Sequence, residues 1–269
     1  MRRGCSAALV VRDRRPSTQE EKIPNPLIAK LECFTELSAD EKQLIDDVTC
    51  DVREFGRRED IIREGDKPES VHLLLEGWAC RYKVLPNGER PIMGFLPGDL
   101  CDVHVALLDE MDHSIGTLSG CKVAFLPRDA VSELISRNER LCRALWWSNL
   151  VDEAILREWL VTLGHRPADK RLAHFFCEML LRAKAVGVTE DESFDLPVTQ
   201  EELGDTMGLS TVHINRMMQE LRGQGLVTSK GKRLIVNDLE KLMAFADFNP
   251  NYLHYPKGVN GERRQAACG

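Results

Sequence analysis

The chain has 269 residues, of which 43% are hydrophobic and 29% charged, and its net charge is −7. That length accommodates two domains with cores of their own, and that charge excludes a general pull toward nucleic acid or an anionic membrane, so any nucleic-acid surface must be a local patch. Nine cysteines stand singly with no CxxC pair, which argues against a disulfide framework or zinc ribbon and suits reduced thiols in a cytosol.

The first residues, MRRGCSAALVVRDRR, contain an apolar run of only five, Ala7 to Val11. A signal sequence needs about 7–15 such residues and a membrane span about 20. Residues 1–23 are therefore expected to be a disordered extension of a cytoplasmic protein with no membrane partner. Short helices are predicted from Asn25 to Ile45. From Asp51 to Phe125 the runs VHLLL, ACRYKVL, PIMGFL and KVAFL are cut by glycines, and Pro86-Asn87-Gly88 is a hairpin signal between two of them. Many short strands with turn punctuation predict a jelly-roll β-barrel, assigned to residues 24–135 with its helices.

From Arg128 to Leu163 there is no glycine or proline, and apolar residues recur every three or four positions. Leu141, Leu145, Ser148, Asp152, Ile155 and Trp159 are spaced as one seam of a coiled coil. Trp146, Trp147, Leu150 and Val151 add apolar groups on other faces, so the helix is expected to be buried on more than one side. One neighbour is the barrel and the other a second copy, which makes 136–163 a dimerisation helix. Gly164-His165-Arg166-Pro167 reads as a hinge, and a helix follows from Asp169 to Ala185.

The stretch TQEELGDTMGLSTVHINRMM, Thr199 to Met218, holds the most specific signal. Thr199 with Glu202 three residues on is a capping box, Gly208-Leu209 makes a turn, and Ser210 caps a second helix. Ile214, Met217 and Leu221 form that helix's inward face. This is a helix-turn-helix, which sets its second helix in a DNA major groove. From Ser210 to Arg233 the cations Arg216, Arg222, Lys230, Lys232 and Arg233 face a single acid, Glu220. GLVTSKGKRLIVND then reads as two strands around Lys230-Gly231-Lys232, the wing of a winged helix-turn-helix. Residues 164–248 are assigned to this DNA-binding domain and 249–269 to a C-terminal tail, expected to be disordered beyond Tyr255.

The order of barrel, long helix and winged helix-turn-helix resembles the CRP/FNR transcription regulators over residues 25–245. IIREGDKPESVHLLLEGWACRY, GFLPGDL, RPADKRLAHF and TQEELGDTMGLSTVHINR carry the likeness. The resemblance implies an α+β fold with a cyclic-nucleotide-binding-like sensing barrel. It also implies a homodimer on palindromic double-stranded DNA, with RNA polymerase as the expected further partner. Thr211, Val212, Asn215 and Arg216 near the start of the recognition helix, 210–222, are the base-contact candidates. Arg216 matches the family's base-reading arginine. Val212 stands where the best-known readers carry a glutamate, so a different operator is expected. Thr199, Gln200, Ser210 and His213 at the helix N-termini are candidates for phosphates, and Lys230, Lys232 and Arg233 for the flanking backbone.

In cAMP-binding relatives a Gly-Glu and an Arg-Ser pair cradle the cyclic phosphate. Here those places hold Asp102-Val103 and His113-Ser114. An acid there repels a phosphate, so cAMP is not expected and no cofactor or effector is assigned. Cys5, Cys33 and Cys50 are too widely spaced for the family's N-terminal iron–sulfur cluster. A metal or haem sensor built on Cys101, His104 or His113 stays open as an alternative. So, more remotely, does a cupin-like metalloenzyme, although Asp102 breaks the His-x-His pair that His104 would need. No G-x-S-x-G elbow or Gly-rich nucleotide loop is present, so no catalytic residue is assigned.

Overall fold

A computed structural model describes residues 25–256; the expected extension, 1–23, and the last thirteen residues lie outside the described residues. Asn25 accepts from the Leu27 amide and opens α1 (Pro26–Glu32), and a Ser38–Glu41 capping box opens α2 (Ala39–Val48). Seven strands follow: β1 (Val52–Phe55), β2 (Asp60–Ile62), β3 (Ser70–Glu76), β4 (Trp78–Tyr82), β5 (Ile92–Pro97), β6 (Ser114–Thr117) and β7 (Cys121–Pro127). They make two antiparallel sheets, ordered β1-β7-β3 and β2-β6-β4-β5. The hairpin expected at Pro86-Asn87-Gly88 joins β4 to β5. Val71, Leu73 and Val123 from one sheet meet Ala79, Leu96 and Ile115 from the other in one barrel core.

β4 is buried on both faces. Ala79 points into the barrel, while Trp78, Cys80 and Tyr82 join a second core shared with the C-terminal half. This is the two-residue alternation of a strand, with apolar cover on each side.

The helical stretch after the barrel is two helices, α3 (Arg128–Arg137) and α4 (Glu139–His165). Asn138 leaves helical dihedrals (φ −131, ψ 100) and its side chain caps Leu141. The break expected over Gly164-His165-Arg166-Pro167 falls at Arg166-Pro167, because glycine in the last turn lacks no donor whereas proline does. α5 (Ala168–Ala185) carries the second core. Then come β8 (Ser193–Asp195), α6 (Gln200–Met207), α7 (Thr211–Gly223), β9 (Val227–Lys230), β10 (Arg233–Val236), α8 (Leu239–Phe245) and a 3-10 turn, Pro250–Leu253. No helix among the described residues is long and apolar enough to cross a membrane.

Two expectations need correction. The row Leu141, Leu145, Ser148, Asp152, Ile155, Trp159 faces its own subunit. Leu141 and Leu145 enter the barrel core, Ile155 and Trp159 the second core, and the Trp159 indole donates to Glu178 at 3.1 Å. Apolar residues are nevertheless left exposed along α4: Trp146 (66%), Leu150, Leu156, Leu160 (74%), Val161 and Leu163. The tail assignment from residue 249 also fails at its start. Tyr252, Leu253 and Tyr255 are buried, and the Tyr252 hydroxyl donates to Glu178 at 2.8 Å.

Six charges gather where α1, the barrel, α4 and α5 meet. Lys30 pairs with Asp99 (2.6 Å) and Asp152 (3.3 Å), and Arg81 with Asp152 (3.1 Å). Arg182 pairs with Glu178 (3.3 Å) and Asp99 (3.5 Å), and donates to the Phe95 carbonyl at 2.8 Å. Burial works against the Asp152 carboxylate, yet Lys30, Arg81 and Arg182 hold it down at about 2. Burial dominates at Glu178 and pushes its carboxyl up despite Arg182, Tyr252 and Trp159.

His174 of α5 is buried, its ring edge-on to Phe248 and stacked on Tyr252. Burial, with Arg166 nearby, pushes its imidazole from 6.5 down to about 3. Glu158 lies 3.4 Å from Nε2 but is already paired with Arg166 at 2.6 Å. The folded pKa lies below the unfolded one, so from pH 6.5 down to 3 only the unfolded chain takes this proton. Stability therefore falls with pH over that range. In denaturant titrations the wild type is expected to lose about 2 kcal/mol more than His174→Phe between about pH 7 and about pH 5. Equal losses would contradict this.

Candidate nucleic-acid interface

The Thr199 side chain accepts from the Glu202 amide (3.1 Å) while Glu202 accepts from the Thr199 amide (2.7 Å), so the expected capping box starts α6. Gly208 ends it in the left-handed region, at φ 64, a conformation that costs a residue with a Cβ about 1–2 kcal/mol. The Ser210 hydroxyl then accepts from the His213 amide at 3.4 Å and opens α7. Gly204 of α6 lies against the turn: a Cβ there would sit 2.5 Å from the Leu209 carbonyl oxygen. α6 and the turn that follows it meet backbone to backbone at this point.

Ile214, Met217, Met218 and Leu221 are buried, and they set α7 against the second core. Outward in its first turns are Thr211, Val212 (82% exposed), Asn215 and Arg216, followed by Gln219 and Glu220. The Arg216 guanidinium lies 3.0 Å from His213 Nε2, so a neutral His213 accepts from it and braces it. Sequence reading placed His213 only at a helix N-terminus. The three-residue spacing that sets it one turn before Arg216 was available as a signal.

Thr199 and Gln200 are half-buried, and the Thr199 hydroxyl is committed to its cap. Lys230 and Lys232 stand exposed at the tip of the β9–β10 hairpin, and Arg222 donates to Ser229 of β9 at 3.1 Å. Arg233 differs from the other wing cations. β10 also pairs with β8, which brings Arg233 opposite Asp195 and lets it contact Asp191 (3.3 Å), Asp195 (3.9 Å) and the Ser193 hydroxyl (2.8 Å). Hydrogen bonds from Ser193 and Thr189, with Arg233, hold the Asp191 carboxyl at about 2. The wing's free positive charge is thus smaller than a count of its basic residues suggests.

In the barrel, Asp102 is fully buried, accepts from the His72 amide (2.7 Å) and pairs with His72 Nδ1 (2.5 Å). It is a β3 anchor and does not line an anion site. Cys101 is also fully buried, and burial raises its thiol well above the usual range. Its Sγ is not among the ligand atoms that gather within metal-binding reach of one another among the described residues. The side chains that do converge are His104, His113 and Asp112.

The family model described as cyclic nucleotide-binding domain matches residues 52–138, and that described as Crp-like helix-turn-helix domain matches residues 170–245. The chain is 25% identical to the transcriptional activator protein FnrA of Stutzerimonas stutzeri, over 78% of this chain and 86% of that protein. It is 29% identical to the nitrogen fixation regulation protein FixK of Bradyrhizobium diazoefficiens, over 64% of this chain and 72% of that one. The solved structure of FixK2 from Bradyrhizobium japonicum superposes with a TM-score of 0.64 at 22% identity, covering 72% of this chain and 95% of that one.

Gly204 provides a test of the helix packing. Gly→Ala in an exposed helix interior stabilises by about 1 kcal/mol, but here the added methyl meets a backbone carbonyl that cannot swing aside. Gly204→Ala is expected to lower the unfolding free energy by about 1–3 kcal/mol in urea titrations. A gain in stability would contradict the close approach.

Proposed function

The chain belongs to the CRP/FNR family of DNA-binding transcription regulators, and from that premise we propose that it binds an inverted-repeat operator as a homodimer, each copy laying α7 in the major groove. The observation that carries this reading is the division of α7 into a buried apolar face and an outward face of Thr211, Val212, Asn215 and Arg216. Arg216, braced by His213, takes guanine O6 and N7. Val212 meets a thymine methyl, and Thr211 and Asn215 touch neighbouring base edges. Ser210, Thr199 and Gln200 sit at helix N-termini suited to phosphates. Lys230 and Lys232 meet the flanking backbone, while Arg233, tied to Asp191 and Asp195, stiffens the wing.

The dimer forms through the outer face of α4, with Trp146, Leu150, Leu156, Leu160 and Leu163 against their copies. Five apolar side chains at helical spacing on an exposed stripe support this reading. The names of the relatives, transcriptional activators among them, support an activating role; contact with RNA polymerase in the cytoplasm goes with that reading. The reading assigns the chain no catalysis.

Selection from a random duplex pool tests the whole reading. The wild type is expected to enrich an inverted repeat with half-sites about 34 Å apart. Arg216→Ala should lose preference at one base pair of each half-site, about 1–3 kcal/mol. Leu160→Glu should retain the half-site but lose the repeat. No enrichment, or the same motif from Arg216→Ala at equal strength, would contradict the assignment.

A further inference from the structure

Burying a polar atom without a partner forfeits its hydration with nothing in return, so two such atoms near one another call for an explanation. His104, on the 3-10 turn Val103–Ala106, and His113, just before β6, each bury an Nε2 that has no hydrogen-bond partner. Their ring centroids are 5.5 Å apart, and His113 is only 9% exposed. One ligand atom each from His104, His113 and Asp112 lie within 4.8 Å of one another. His113 Nδ1 lies 2.6 Å from an Asp112 carboxylate oxygen. That bond places the ring proton on Nδ1 and leaves the Nε2 lone pair free, the arrangement by which a carboxylate orients a metal-binding histidine.

We propose that His104 and His113 bind one divalent first-row transition ion of the zinc(II) or iron(II) class through Nε2, with Asp112 orienting His113 and supplying the local negative charge. Two imidazoles beside a carboxylate suit these ions and leave coordination positions open to water. Arg81 opposes a cation here, and Asp102 and Asp112 act against it. Rotation of the half-buried His104 closes the pair, since its turn borders an open cleft of about 440 Å³ shared with Leu107, Cys142, Leu145 and Trp146 of α4 and its surroundings.

Trp146 belongs to the outward stripe of α4, so an ion that fixes the Val103–Ala106 turn bears on the dimer face. This regulatory half rests on the function proposed above, whereas ion binding is measured without DNA.

The experiment is equilibrium dialysis of the reduced full chain against Zn²⁺, with Co²⁺ as a spectroscopic probe. The expected result is one ion per chain, a Co²⁺ spectrum free of thiolate charge-transfer bands, and no retention of Mg²⁺. His104→Gln should abolish the stoichiometric site. Asp112→Asn, at an exposed side chain that folding does not need, should weaken it about 10- to 100-fold. Cys142→Ser should leave it unchanged. No stoichiometric retention by the wild type, a thiolate spectrum, or equal retention by His104→Gln would overturn the site. If the ion binds as expected but does not change dimer formation or affinity for the selected DNA, the site stands and only its regulatory role falls.

Discussion

The fold turns on six charges drawn together, four of them buried (Lys30, Asp99, Glu178 and Arg182) and two, Arg81 and Asp152, partly so. Lys30, Arg81 and Arg182 face Asp99, Asp152 and Glu178 where α1, β4, the end of β5, α4 and α5 converge. Desolvating a lone charge costs several kcal/mol, and removing one partner of a buried pair costs about 3–5 kcal/mol because it strands the other. Three positive and three negative groups satisfy one another here only if all these elements dock at once. The Phe95 carbonyl, the Leu100 amide, the Trp159 indole and the Tyr252 hydroxyl take up remaining hydrogen-bonding capacity. The barrel is thereby tied to the helix that carries the DNA-binding half. Exposed pairs such as Arg157–Glu153 contribute little by comparison.

From that junction the rest of the architecture follows outward. Trp78, Cys80, Tyr82 and Phe95 cover one side of α4 and α5, and the same core continues through Phe175 and Phe176 to Leu203, Ile214 and Leu221. One apolar body therefore runs from the outside of the barrel to the inside of α7. Arg57 of the barrel also approaches Glu202, the capping residue of α6, at 3.4 Å. The outward side chains of α7 are positioned by this body, and a continuous packed route joins the barrel to the helix-turn-helix.

Much of this was legible in the sequence where the signals were local. Thr199 and Glu202, Gly208, Ser210 and the spacing of Ile214, Met217 and Leu221 each act within a turn or two of themselves, and the helix-turn-helix they predict is present. Nonlocal pairing was not legible. Asp152 read as a flaw in an apolar seam, yet its partners Arg81 and Lys30 lie 71 and 122 positions away. Two faces of α4 are apolar, and periodicity cannot say which of them the barrel takes. Tyr252 looked like tail because its partner Glu178 is 74 residues earlier. Arg233 counted as a free cation until β8 delivered Asp191 and Asp195 to it. At the barrel site, Cys101 drew attention by its chemistry, but it is fully buried, and His104, Asp112 and His113 are what the loop brings together.

The central claim is that the charge cluster makes the barrel and the DNA-binding half one cooperative unit. Native-state hydrogen exchange measures this directly, because segments that open together share one opening free energy. Amides of β5 around Phe95 and of α5 from Leu172 to Leu181 are expected to exchange at a common free energy, and Asp99→Asn should lower both by the same amount. If α5 exchanges at a distinctly lower free energy than β5, and Asp99→Asn moves only one of them, the two halves are independent and the account is wrong.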